Sequence, residues 1–233
     1  MQELTPRNID ILRLIIEEYL NSGELVGSQK LLKKYDLGVS PATVRNDMAK
    51  LEEYELIFQP YNSAGRFPTS KGLRVFINHM MKARPDYFIA PVNQNLFNYD
   101  GNASLENKIH SIVYNLANAT KEIAFLVIPE EGISRYAGVP HFIEKNQKAF
   151  GENVLNIIKI LEEKNSFIAF IKSLGASEQV SVFVGEENMI AYLKDFSIII
   201  KKINLSGKTG YVGLIGSLRM DYSFNISAIR GIV

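Results

Sequence analysis

The stretch that most constrains the fold runs from Gly38 to Gly72, GVSPATVRNDMAKLEEYELIFQPYNSAGRFPTSKG. Ser40 followed by Pro41 is an N-cap and first-turn pair, so a helix opens there and is expected to run to about Glu53. Beyond it, LIFQP and GRFPT are two short β-like runs separated by YNSA, and Pro60 and Pro68 confine them to edge positions. The expectation is a helix followed at once by a small two-stranded wing.

The residues upstream supply two more helices. Thr5-Pro6 repeats the cap signal, and Ile9, Leu12, Ile15, Ile16, Tyr19 and Leu20 recur at helical spacing, which predicts a first helix over residues 6–21. NSGELVGS breaks it. Ser28 is then expected to cap a second, shorter helix carrying Leu31, Leu32 and Tyr35 on one side. After the wing, TSKGLRVFINHMMKA returns to helical period through Leu73, Phe76 and Ile77. Three helices, a hairpin and a linking helix form the order of a winged helix-turn-helix, here over residues 1–84.

Turning the third helix by about 100° per residue places Val44, Met48 and Leu51 in one narrow sector, the structural core that faces helices one and two. Ala42, Thr43, Asn46 and Lys50 lie opposite, with Arg45 and Asp47 on the flanks. Asn can pair with adenine, a threonine methyl can meet a thymine methyl, and Lys or Arg can reach guanine or phosphate. The first turn also aims free N–H groups and positive dipole outward. Asp47 would repel phosphate unless it pairs with a neighbouring base. The same polar face suits any solvent-facing helix, so the wing weighs in the choice. There, Arg66 beside Gly65 reads as a loop-tip cation for a minor groove or a phosphate; the alternative is a stabilising turn with a solvated Arg66. The expected DNA-binding set is therefore Ser40, Ala42, Thr43, Arg45, Asn46 and Lys50, with Arg66 and Thr69 in the wing.

The rest of the chain reads as a second domain. RPDYFIAPVNQNLFNYDGNAS is rich in Pro, Asn and Gly without period, which predicts a linker over 85–104. Residues 105–233 then carry a helix from about Leu105 to Thr120, a β-run EIAFLVIP, a helix from about Asn153 to Lys164, and three β-branched runs, VSVFVGEEN, FSIIIKKIN and TGYVGLIGS. This fits an α+β domain with helices on a sheet.

Composition narrows the chemistry. With no cysteine among 233 residues, disulfides and thiolate sites are excluded, and neither a signal-peptide core nor an apolar run of about 18 residues occurs, so a cytoplasmic protein without a membrane segment is expected. A formal net charge of +1 decides nothing about nucleic acid, because a binding patch is local. His79, His110 and His141 are far apart and lack acidic neighbours at ligand spacing, so no metal is expected. Glu186-Glu187 reads as a solvated turn or helix start, and SGKTG at 206–210 reads as a hairpin turn because strands flank it. No nucleophile, base and metal converge, so neither an enzyme nor a cofactor is expected.

The segments LTPRNIDILRLIIEEYLNSGELVGSQKL, SPATVRNDM followed by SAGRFPT, and later VFVGEEN and GLIGSLRMDY resemble the HrcA family of heat-inducible transcription repressors. The resemblance implies a winged helix-turn-helix followed by a GAF-like sensor-type domain. It also implies a homodimer on double-stranded DNA at an inverted-repeat operator, called CIRCE, upstream of groE and dnaK type chaperone operons. The chaperonin GroEL would promote the binding form, and heat would relieve repression. The family's inserted dimerising domain is expected to be absent or much reduced here, since AFLVIPEEGISRYAGVPHFIEKNQKAF runs almost directly toward the later strands. Within RMDY, Arg219 and Asp221 form either a structural pair or part of a subunit or chaperonin contact, and the structural role is favoured. The competing function is a ligand-sensing regulator whose second domain binds a metabolite.

Overall fold

The computed structural model describes residues 4–83, 103–145, 152–190 and 193–232, and the chain divides into two compact units, Met1–Pro85 and Asp86–Val233. The linker expected over 85–104 lies outside the described residues except for Ala103 and Ser104.

In the first unit, α1 (Pro6–Ser22) starts on a reciprocal cap: the Thr5 hydroxyl accepts from the Asn8 N–H, and the Asn8 side chain accepts from the Thr5 N–H. It ends on Gly23 in the left-handed region, which a residue without Cβ enters at no cost. The short α2 (Ser28–Lys34) corrects the sequence expectation. Its N-cap is Gly27, Ser28 is the first helical residue and is buried, and the helix stops before Tyr35. Next, α3 (Pro41–Glu53) opens on Ser40, whose hydroxyl accepts from the Thr43 N–H at 3.2 Å. The wing strands β1 (Ile57–Phe58) and β2 (Phe67–Pro68) pair antiparallel, and α4 (Ser70–Ala83) follows. Ile11, Leu12, Ile15, Ile16, Leu31, Met48, Leu51 and Ile77 form the core on which these elements meet.

The second unit opens with α5 (Leu105–Thr120), capped by Ser104, and β3 (Ile123–Ile128). Then come β4 (Ile133–Ala137), α6 (Val139–Lys145), α7 (Glu152–Glu162) and α8 (Lys164–Ser173). The chain closes with β5 (Ser181–Val184), β6 (Phe196–Leu205), β7 (Lys208–Ser217) and α9 (Tyr222–Arg230). The helix expected over about 153–164 is α7, and α8, which starts at Lys164 straight after it, is an element the sequence reading did not include. The five long strands form one antiparallel sheet in the order β4-β3-β7-β6-β5, the arrangement of a GAF-like domain. The β6–β7 hairpin turns at Ser206-Gly207, where the SGKTG reading placed it.

Every residue of β3 is buried, because the sheet is covered on both faces. On one face Phe125 meets Phe167 edge-on at 5.3 Å and Phe142 lies 5.7 Å from Phe196, closing a core with α6, α7 and α8. The other face is covered by α5 over β3 and β4, and by α9 over β6 and β7. Two motifs act as fasteners here. In GEEN, Asn188 donates to the carbonyls of Gly185, Leu193 and Phe196 at 2.8–3.0 Å while Glu187 accepts from the Val184 N–H. In RMDY, Asp221 caps α9 by accepting from the Phe224 N–H at 3.0 Å, and Tyr222 bonds to buried Ser197 at 2.7 Å.

Candidate nucleic-acid interface

The outer face of α3 is set by what holds its inner face. Val44, Met48 and Leu51 are fully buried against α1 and α2. Pro41, Ala42, Arg45, Asn46, Ala49 and Lys50 are exposed and Thr43 is half-buried. Among the described residues, neither Arg45 nor Lys50 takes part in an ion pair, so both cations stand uncommitted on that face. Thr43 is less free than its spacing implied, since its hydroxyl lies 3.0 Å from the Ser40 hydroxyl that caps the helix.

Asp47 is where the angular reading fails. Its carboxylate is buried and binds Arg7 through Nε at 2.7 Å and Nη2 at 3.3 Å, and it accepts from Asn8 Nδ2 at 2.8 Å. It cannot pair with a base. It clamps α3 to the start of α1 instead, and its charge is answered inside the domain by Arg7 rather than presented to phosphates. A second clamp ties α1 to α2: buried Glu18 binds Lys34 and accepts from the Tyr35 hydroxyl at 2.8 Å. The Lys34 hydrogen bond, joined by that of Tyr35, holds the Glu18 pKa below its ordinary value against the opposing effect of burial.

The wing departs further from expectation. Arg66 is not at the tip. It stands at the base, its backbone paired in both directions with Val26, and its guanidinium contacts Glu52 at 3.2 Å with only 16% of the side chain exposed. Thr69 is likewise engaged: its hydroxyl donates to the Glu55 carbonyl at 2.6 Å and accepts from the Gly72 N–H at 3.0 Å, closing the entry to α4. The tip itself is Tyr61, Asn62 and Ser63, all exposed, with Tyr61 67% open. It is held in shape by Gln59, which donates to the Ala64 carbonyl, and by the Ala64 N–H, which donates to the Tyr61 carbonyl. Tyr61 and Asn62 lie outside the set expected from sequence, although their place in the YNSA spacer between two β-runs is the available signal.

The histidines lie on three separate helices, His141 bonded to Asn118 at 3.0 Å, and among the described residues no His, Asp and Glu group could hold a metal. No described helix is long and apolar enough to cross a membrane.

This architecture places the chain among proteins that join a winged helix-turn-helix to a GAF-like domain. A model of the HrcA protein C-terminal domain matches residues 69–226, and a DeoR-like helix-turn-helix model matches residues 14–69. The chain belongs to the HrcA family. It is 39% identical over 127 residues to the heat-inducible transcription repressor HrcA of Streptomyces avermitilis, covering 54% of this chain and 37% of that protein. It is 35% identical over 184 residues to the protein of the same name from an Arthrobacter species, covering 78% and 49%. The chain therefore spans about half or less of the length of these relatives. A crystal structure described as a hypothetical protein shares the fold, with a TM-score of 0.84 at 20% identity over 97% of this chain and 95% of that one.

Proposed function

We propose that this protein is a cytoplasmic transcriptional repressor of chaperone operons that binds a CIRCE-type inverted repeat as a homodimer. Chaperonin of the GroEL kind favours its binding form and heat relieves it. The observation that carries the reading is the outer face of α3, where Ala42, Arg45, Asn46 and Lys50 are exposed while the one acidic residue of its inner turns, Asp47, is withdrawn into a clamp. That face can enter a major groove, and the exposed tip at Tyr61 and Asn62 can meet the adjacent backbone or minor groove. A two-fold operator calls for two copies of the head. The relatives' name, heat-inducible repressor, supports the regulated process. The reading is of a binding protein and not of an enzyme.

The metabolite-sensing alternative is not favoured: the relatives are named as heat-inducible repressors, and Phe125, Phe142, Phe167 and Phe196 fill the space between the sheet and its helices. Footprinting on the promoters of the source organism's chaperone operons, with and without chaperonin at two temperatures, tests the proposal. Protection of an inverted repeat that strengthens with chaperonin and fades with heat is expected. No protection under any condition would overturn it. Asn46→Ala should cost about 1–3 kcal/mol of discrimination against altered repeats, and Lys50→Ala should reduce the salt dependence by about one unit if it meets a phosphate.

A further inference from the structure

The wing motif SAGRFPTSKG places a cation where three pieces of the first unit meet. The Arg66 N–H donates to the Val26 carbonyl at 2.9 Å and the Arg66 carbonyl accepts from the Val26 N–H at 3.0 Å, so its backbone is stitched to the connection between α1 and α2. Gly65 is pressed on the same connection: a Cβ there would lie 2.8 Å from the Val26 nitrogen. The Arg66 side chain turns toward the last turn of α3 and meets Glu52 at 3.2 Å, the two side chains being 16% and 27% exposed. Among the described residues its Nε is enclosed without a partner, which leaves Glu52 as the guanidinium's anchor. Next in the chain, Phe67 packs edge-on against Tyr19 of α1 at 5.4 Å.

We propose that Arg66 is a positioning residue: through Glu52 it braces the C-terminal turn of α3 against the wing base and so fixes the angle between recognition helix and wing tip. Its charge is spent on Glu52 and not on DNA. A DNA-contacting arginine and a bracing one make opposite demands on Glu52. If Arg66 reaches DNA, Glu52 competes with phosphate, and removing that carboxylate strengthens binding. If Arg66 braces α3, removing either partner loosens the same joint and weakens binding.

The inference rests on the DNA-binding reading above, and the experiment separates the two. Full-length Arg66→Gln, Glu52→Gln, the double variant, and the charge swap Arg66→Glu with Glu52→Arg are titrated with a CIRCE duplex over a salt series and unfolded in urea without DNA. The brace predicts that each single variant binds about tenfold more weakly, that the double variant is no worse than either, and that the swap restores part of the loss. The salt slope stays at the wild-type value, because no phosphate contact is removed. Tighter binding by Glu52→Gln, or a slope reduced by about one unit in Arg66→Gln, overturns the proposal. If the wild type fails to bind the duplex, the operator reading falls while the urea cycle still decides the brace: coupling between positions 52 and 66 upholds it, and additive losses overturn it.

Discussion

Glu122 gives the sharpest test of the second unit. It precedes β3, is fully buried, and binds Lys145 through one oxygen, while Oε2 is enclosed against the backbone of Gly216 with no partner among the described residues. Burial pushes its pKa up from 4.5 to about 7; Lys145 opposes the rise and nearby Asp221 adds to it. Because the folded value is raised, the group favours folding fully at low pH, and that contribution is lost as pH climbs from about 4.5 through about 7. The span corresponds to about 3 kcal/mol. Glu122→Gln retains the shape and the contact with Lys145 but cannot ionise. Relative to the wild type, the variant should therefore gain about 3 kcal/mol between pH 4.5 and 8, or ~6–12 °C in melting temperature. The chain has no tryptophan, so unfolding is best followed by far-UV circular dichroism on the full chain. Stability curves of the wild type and of Glu122→Gln that run parallel from pH 4.5 to 8 would refute the reasoning.

The other predictions concern the first unit. Glu18, whose pKa is held down mainly by Lys34, contributes stability above its ordinary value of 4.5 and loses it as acid passes below; Glu18→Gln should remove that acid sensitivity, read by hydrogen exchange in α1 and α2. Asp47→Ala leaves Asn8 Nδ2 buried without its partner and should cost about 1–3 kcal/mol in urea unfolding, with Arg7 recovering water. Gly72→Ala would place a Cβ 2.0 Å from the Leu56 carbonyl oxygen, a backbone atom that cannot turn away, and should destabilise by about 1–3 kcal/mol or more in the same assay.

What the sequence disclosed about the fold follows from how local each signal was. The α1, α3 and α5 starts are written in Thr5, Ser40 and Ser104, each of which accepts from a backbone N–H three residues on. The β6–β7 hairpin shows in the β-branched runs on either side of a two-residue turn. By contrast, α8 begins at Lys164 with no side-chain cap, directly after α7, so its apolar residues merge with those before it. Likewise β4, ISRYA, is only half-buried at the sheet edge and its alternation is weak. The cap falls one residue before the expected Ser28, because Gly27 already takes the extended conformation an N-cap needs.

The site was legible by a different rule. Residues whose role depends on their own helix, Val44, Met48 and Leu51 inside and Asn46 and Lys50 outside, lie where 3.6-residue periodicity puts them. Residues whose role depends on a distant partner do not. Asp47 meets Arg7 forty positions away, and Arg66 meets Glu52 at a separation of fourteen and Val26 at a still longer one. A charged side chain near a presumed ligand is read as free until its partner is known, and in both cases the structure supplies an ion-pair partner far along the chain. Local pattern marks which face of the helix is exposed, and long-range pairing decides which charges there are engaged: among the described residues Arg45 and Lys50 enter no ion pair, while Asp47 and Arg66 are paired with Arg7 and Glu52.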